Sequence, residues 1–177
     1  MQKIVIDTNV LVSALIQRSF PYHIVNEALI NQEIIICLSE ELFHEYYEVL
    51  NRKKFAKFPD FTTNAHSILT EIYRISQKYK PTQKLDVISD KDDNMLLELA
   101  QESKADFLIT GNHTDFTMSN FEGTEIVSPI NIGLIIFLKK SNLFFYPFNI
   151  SKKSSLKISR APRLSRWLLC TWQSNRR

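Results

Sequence analysis

The sequence predicts an α/β protein with three layers (α/β/α), in which helices cover both faces of a short, mainly parallel sheet. Short unbroken apolar runs alternate along the chain with segments whose apolar residues recur at helical spacing. The runs lack the alternation of apolar and polar residues, as expected of parallel strands that are buried on both faces. A length of 177 residues suits one such domain.

Five apolar runs are predicted to be strands. They span residues 4–6, 34–38, 85–88, 107–109 and 125–127. A proline in a first turn, or a Ser, Thr or Asp just before an apolar stripe, marks the start of a helix. The predicted helices run over 9–18, from Pro21 through 29, from the N-cap Ser39 through 50, from Thr62 or Thr63 to about 79, from Asp92 or Asp93 through 100, and from Pro129 through 138.

The charge is divided unevenly along the chain. Residues 1–138 hold 12 Lys and Arg and all 19 acids, a net charge of −7, whereas residues 139–177 hold 10 Lys and Arg and no acid. The sequence therefore predicts a domain over 1–140, an aromatic connecting segment over 141–150 and a basic tail over 151–177. The tail could bind nucleic acid, dock on the acidic domain or be an adventitious extension.

Cysteine content and hydropathy bear on the compartment. Cys37 and Cys170 are too few for a disulfide framework, which favours a reducing environment. The N-terminus lacks a secretory signal pattern, and the apolar runs are too short to span a bilayer. We therefore expect a cytoplasmic protein without membrane contact.

Acidic residues follow each of the first four predicted strands. Residues just beyond the carboxyl ends of parallel strands meet at one edge of the sheet, where ligands bind. Singly, each acid is explained by helix capping, by a turn or by a solvated helix face. The residues at these positions are Asp7, Thr8, Asn9, Ser39, Glu40, Glu41, Glu45, Asp90, Asp92, Asp93, Asn94, Thr110, Gly111, Asn112 and Asp115.

Together, these acids predict a site for a divalent cation. Carboxylates that converge repel one another unless a cation lies among them, and hard oxygen ligands suit Mg²⁺ or Mn²⁺. A metal ion there would acidify a bound water for phosphodiester hydrolysis, and a second ion would stabilise the leaving oxygen. A glycine-rich phosphate loop is not expected, because the chain has only three glycines and no such motif.

Four segments in order resemble a PIN domain, in particular the toxin branch of toxin–antitoxin modules. They are Ile-Asp7-Thr-Asn-Val, the helix with Glu45, Asp-Lys-Asp-Asp93-Asn followed by Leu-Glu-Leu-Ala, and Ala-Asp-Phe-Leu-Ile-Thr-Gly-Asn112-His-Thr-Asp115-Phe. The resemblance runs from about residue 1 to residue 138. It implies a metal-dependent endoribonuclease that cleaves single-stranded RNA, an antitoxin protein as partner and a homo-oligomer.

The resemblance also implies roles for individual residues. The catalytic acids, which are also the ligands of Mg²⁺ or Mn²⁺, correspond to Asp7, Glu45, Asp93 and Asp115. The supporting residues correspond to Asn9, Thr110 and Asn112. Asn9 would orient Asp7 or a metal-bound water, and Thr110 would supply a hydroxyl.

Several alternatives remain open at this stage. Glu41 is the alternative to Glu45, and Asp90 or Asp92 to Asp93. The family's common pattern is Thr-Gly-Asp where this chain has Asn112, so the number of metal ions stays open. Two other functions also remain: an RNA-processing nuclease without an antitoxin, and a non-catalytic PIN scaffold that binds RNA or protein.

Overall fold

The structure is a computed structural model that describes residues 1–17, 22, 25 and 34–132. Within these ranges, six strands form one sheet: β1 (Gln2–Ile6), β2 (Ile34–Leu38), β3 (Gln77–Lys78), β4 (Phe107–Ile109), β5 (Asn120–Phe121) and β6 (Thr124–Val127). The same ranges hold four α-helices with defined limits: α1 (Thr8–Ile16), α2 (Glu40–Leu50), α3 (Phe61–Ile75) and α4 (Lys91–Ser103). A 3₁₀ turn covers Lys53–Phe55, after α2.

The strand order is β3-β2-β1-β4-β6-β5, and every pairing is parallel except that of β5 with β6. Successive side chains of a strand point to opposite faces, and Ile4, Val5 and Ile6 of β1 are all buried. Both faces of the inner sheet are therefore covered, with α3 packed on β2 and α4 packed on β1, β2 and β4. The predicted α/β class with a short, mainly parallel sheet is confirmed.

The predicted strand over 85–88 is wrong. Its backbone donors are satisfied by side chains of α4 instead of a neighbouring strand: Leu85 N donates to Glu98 Oε1, and Val87 N and Ile88 N donate to Asn94 Oδ1. The third parallel strand is β3, whose two side chains are polar and exposed. Periodicity could not indicate β3 because it adds only backbone pairing at the sheet edge.

Several helix starts differ from the prediction. Ser39 is the N-cap of α2 as predicted, since its Oγ accepts from Leu42 N over 3.1 Å. The caps Thr62 and Thr63 predicted for α3 are wrong, because this helix begins at Phe61 after Asp60, which has a left-handed backbone with φ 56°. This sharp turn buries Phe61, whose ring stacks on Phe55 with a centroid distance of 4.8 Å.

Other predictions fall partly outside the described residues. Of the helices predicted from Pro21 and from Pro129, only residues 22, 25 and 129–132 are described, and they are helical. The boundaries predicted at 140 and 150, and the basic tail, lie outside the described residues. In the described part of the chain, no helix has the length and apolar character needed to cross a membrane.

Candidate functional site at the carboxyl ends of β1 and β4

Two polar residues meet where the paired strands β1 and β4 end. Ile6 is the register partner of Ile109, and Asp7 N donates to Ile109 O over 3.0 Å. Asp7 and Thr110, the next residues of the two strands, therefore lie side by side. Thr110 Oγ1 donates to Asp7 Oδ2 over 2.5 Å, and both side chains are buried.

Asp7 is the N-cap of α1. One of its carboxylate oxygens caps the helix, and the other accepts the hydrogen bond from Thr110. Asp7 Oδ1 accepts from Asn9 N over 2.8 Å. Asn9 thus orients Asp7 through its backbone, while its own side chain is exposed. Burial raises the pKa of Asp7, and the hydrogen bonds from Thr110 and Asn9 partly offset that rise.

Asn112 joins two of the predicted acids. Its Nδ2 donates to Asp93 Oδ2 over 2.9 Å and to Asp115 Oδ2 over 2.6 Å, while Asn112 N donates to Thr110 Oγ1 over 2.9 Å. This network links the start of α4, the end of β4 and the loop that follows β4. The residues that it gathers are Asp7, Asp93, Thr110, Asn112 and Asp115, which we call the acidic cluster.

The pKa of the Asp93 carboxyl is raised well above its ordinary value. Partial burial, together with the negative charges of Asp7, Asp90 and Asp115, raises its pKa to about 6, and the Asn112 hydrogen bond lowers it in part. Like charges held close together disfavour ionisation. A cation placed among these carboxylates would therefore relieve repulsion that the fold itself maintains.

Glu45 faces the acidic cluster from the middle of α2. Burial raises its pKa first, and the charges of Asp7, Asp92 and Asp93 raise it further. The Thr8 hydroxyl is close enough to lower the pKa of Glu45. That hydroxyl is buried and has no hydrogen-bond partner within the described residues.

The alternative acids have other partners. Glu41 is exposed and pairs with Lys84 over 3.0 Å. Asp90 is the N-cap of α4, and its Oδ1 accepts from Asp92 N over 3.0 Å, while Asp92 itself is exposed. Among these acids, Asp93 is the one that accepts a hydrogen bond from Asn112. The charges of Asp7 and Asp93 raise the pKa of Glu45.

Tyr46 is a supporting residue that the sequence analysis did not identify. This fully buried residue donates a short hydrogen bond from its hydroxyl to Ile6 O, one residue before Asp7. It supports the end of β1 from α2, because its hydroxyl reaches the last carbonyl of that strand. Its position in the apolar stripe of α2 made it indistinguishable from an ordinary core residue.

The donor chemistry of the acidic cluster fits a hard divalent cation. Within the described residues, no three acidic, histidine or cysteine side chains are grouped so that they could together hold a metal ion. Mg²⁺ needs fewer protein ligands than this, since it is commonly bound by one or two carboxylates and keeps several waters. Asp7 and Asp93, whose charges interact, are the residues that would hold such an ion.

The fold and this edge place the chain among α/β proteins that collect acids at the carboxyl ends of parallel strands. Residues 3–114 match the model of the PIN domain family. The chain therefore belongs to the PIN domain family, whose members are in general nucleases.

Two known proteins are similar to this chain. It is 31% identical over 110 residues to the uncharacterized protein MJ1680 of Methanocaldococcus jannaschii, an alignment that covers 62% of this chain and 70% of the relative. The solved structure of VapBC2 from Rickettsia felis, bound to a DNA fragment from their promoter, is similar with a TM-score of 0.48 and 16% identity. That alignment covers 72% of this chain and 98% of the other.

Proposed function

We propose that this chain is a Mg²⁺- or Mn²⁺-dependent endoribonuclease that hydrolyses phosphodiester bonds of single-stranded RNA. One observation carries the proposal: Asp7, Asp93 and Asp115 converge at the carboxyl edge of β1 and β4. Partial burial of Asp93, together with the negative charges of Asp7, Asp90 and Asp115, raises the pKa of Asp93 to about 6. Membership of the PIN domain family supports the same activity.

Each residue has a distinct part in the proposed reaction. Asp7 and Asp93 would hold the ion, which when bound supplies positive charge to a phosphate oxygen and acidifies water. The Thr110 hydroxyl and the Asn9 backbone amide fix the orientation of Asp7. Glu45 lies beside the acidic cluster, and burial raises its pKa. It would accept a proton from the attacking water.

We further propose that the protein acts in the cytoplasm as the toxin of a toxin–antitoxin pair, as a homo-oligomer restrained by an antitoxin protein. The resemblance of the segments around Asp7, Glu45, Asp93 and Asn112 to the toxin branch supports this role. A small neighbouring gene that encodes a DNA-binding protein would support it, and growth arrest on expression that this second protein relieves would test it.

One observation favours a second candidate, a non-catalytic PIN scaffold that binds RNA or protein. The Asn112 amide, rather than a carboxylate, lies against both Asp93 and Asp115. An amide nitrogen donates hydrogen bonds and cannot bind a cation. Such a scaffold would bind Mn²⁺ weakly or not at all.

Cleavage and metal binding together distinguish the two candidates. We expect the wild-type protein to cleave a labelled single-stranded RNA in the presence of Mn²⁺, and we expect EDTA to stop the cleavage. The wild-type protein should also bind Mn²⁺ in calorimetry. Asp93→Asn should reduce cleavage by orders of magnitude. Asp92→Asn, which removes an exposed acid from the same turn of α4, is the matched control and should retain activity. Full cleavage by Asp93→Asn would remove Asp93 from the catalytic set.

A further inference from the structure

A cavity of about 360 Å³ opens beside the acidic cluster. Its described lining consists of Asn9, Val10, Ser13, Gly111, Asn112 and Pro129. Two of these residues also contact the acids, since Asn9 N donates to Asp7 Oδ1 and Asn112 Nδ2 donates to Asp93 Oδ2. The cavity and the acidic cluster therefore share Asn112.

The described lining of the cavity carries no charged side chain. A phosphate would find no cation there, and the neighbouring carboxylates would repel it. The carboxamides of Asn9 and Asn112 and the hydroxyl of Ser13 can each both donate and accept hydrogen bonds. This chemistry suits a neutral ligand that has donors and acceptors on one edge.

Two polar side chains of the lining are available to a ligand. In the part of the chain that the structure describes, neither the Asn9 carboxamide nor the Ser13 hydroxyl makes a hydrogen bond. Val10 and Pro129 add apolar surface beside them. The volume lies near the lower end of the range for ligand pockets, roughly 300–1,000 Å³, so it suits a single small group rather than a run of stacked bases.

Gly111 lines the cavity just beyond β4 and has open space around its Cα. A Cβ atom built on this residue would meet no atom within 4 Å. The residue lies between Thr110, which binds Asp7, and Asn112, which binds Asp93. A strand of RNA whose phosphate lies at the acidic cluster would therefore have the cavity directly beside it.

We propose that this cavity holds one nucleoside, the base and ribose, of the RNA strand next to the phosphate at the acidic cluster. The inference rests on the proposed function and names a subsite of the same substrate. Single-stranded RNA exposes the edges of its bases and its 2′-hydroxyls, which donate and accept hydrogen bonds without charge. The Asn9 and Ser13 side chains would contact these groups, and Val10 and Pro129 would cover the apolar faces.

The test has a binding arm and a cleavage arm. In the binding arm, ¹⁵N-labelled wild-type protein without metal is titrated with adenosine, guanosine, cytidine and uridine, and separately with inorganic phosphate. We expect saturable shifts of the backbone amide signals of Val10, Ser13 and Gly111 with at least one nucleoside, and no comparable shift of these signals with phosphate. Ser13→Leu places a larger side chain in the cavity and should abolish the shifts. If Ser13→Leu is unstable, Gly111→Val is used in its place.

In the cleavage arm, Ser13→Leu should raise KM for single-stranded RNA at least about tenfold while kcat changes little, because one base contact is lost. Ser67→Leu, the same change at an exposed position of α3, should leave both constants unchanged. Equal shifts with phosphate, no shift with any nucleoside, or an unchanged KM in Ser13→Leu and Gly111→Val would overturn the subsite. If nucleosides bind but the wild type cleaves no RNA, the nuclease proposal fails and the cavity assignment stands.

Discussion

The side-chain amide of Asn112 donates a hydrogen bond to Asp93 Oδ2 over 2.9 Å, although 19 residues separate the two in sequence. The same nitrogen also donates to Asp115 Oδ2. A carboxylate at position 112 would carry no proton to give to either acid near neutral pH. The amide therefore supplies, from within the protein, part of the positive potential that two neighbouring carboxylates need.

Asn112→Asp should destabilise the metal-free protein and strengthen its response to metal. The change removes both hydrogen bonds and adds a third negative charge beside Asp93 and Asp115. We expect a lower Tm without metal, a larger rise of Tm with Mn²⁺ than in the wild type, and tighter Mn²⁺ binding in calorimetry. Asn112→Ala, which removes the amide without adding charge, is the control. Unchanged or weaker Mn²⁺ binding would mean that residue 112 does not face the metal.

Asp93 should make the metal-free protein less stable as the pH rises. Its pKa is about 6 in the folded state, above the ordinary value of 3.8 for an unfolded chain. Between these pH values the folded state binds more protons, so the free energy of unfolding falls as the pH increases. The Tm of the wild type should fall relative to the Tm of Asp93→Asn between about pH 4 and about pH 6. Above about pH 6 the difference in Tm between the two proteins should stay constant. Asp92→Asn should keep the wild-type profile. A constant difference between wild type and Asp93→Asn at all pH values would contradict the shifted pKa.

Thr110→Val should destabilise the protein more at neutral than at acidic pH. The lost hydroxyl donates to the buried carboxylate of Asp7, whose pKa would then rise further. We expect a loss of about 1–3 kcal/mol in the free energy of unfolding at pH 7, measured by urea denaturation, and a smaller loss where Asp7 is protonated. Thr124→Val is the matched control, since this buried hydroxyl donates to a neutral carbonyl, Ala105 O. Parallel pH profiles of the two variants would show that Asp7 is not charged in the folded protein.

Asn94→Ala should release the segment before α4. The buried Asn94 side chain accepts from Val87 N and Ile88 N and donates to Ile88 O and Asp90 O. We expect a loss of about 2–4 kcal/mol in the free energy of unfolding and faster hydrogen exchange at amides 87 and 88. Asn51→Ala, at an exposed side chain that bonds only at the surface, should cost far less. Retained protection of both amides would mean that another group satisfies them.

Deletion of residues 151–177 should separate RNA binding from folding. This segment contributes eight of the basic residues and no acid. We expect the remaining chain to unfold cooperatively and to bind single-stranded RNA more weakly, most clearly at low salt. Binding is measured by fluorescence anisotropy over a salt series. Loss of the cooperative thermal transition would show instead that the tail is part of the folded core.

The inner part of the sheet could be predicted because burial on both faces leaves a local signature. The run Ile34–Leu38 has the predicted limits of β2, and Phe107–Ile109 those of β4. The segment 85–88 carries a similar apolar pattern, yet Asn94 and Glu98 supply its partners from a helix later in the chain. Such side-chain pairing depends on tertiary packing, which periodicity cannot report.

The acidic edge was predictable for the same reason as the sheet, since residues after parallel strands must lie near one another. The individual hydrogen bonds within the acidic edge could not be predicted from the sequence. The bond from Thr110 to Asp7 spans 103 residues, and the direction of the Asn112 amide depends on where α4 begins. Whether Asp7, Glu45, Asp93 and Asp115 carry the chemistry stays a prediction that the cleavage assay tests.

The inner position of β1 has a consequence for the timing of synthesis. β1 leaves the ribosome before its neighbour β4, which ends at residue 109, and Thr110 follows Asp7 by 103 residues. During most of translation Asp7 has no Thr110 hydroxyl beside it, and the loop with Asn112 and Asp115 does not yet exist. The acidic edge is assembled only after nearly the whole domain has emerged. A nascent chain therefore cannot form the complete acidic edge until residues 110–115 have left the ribosome.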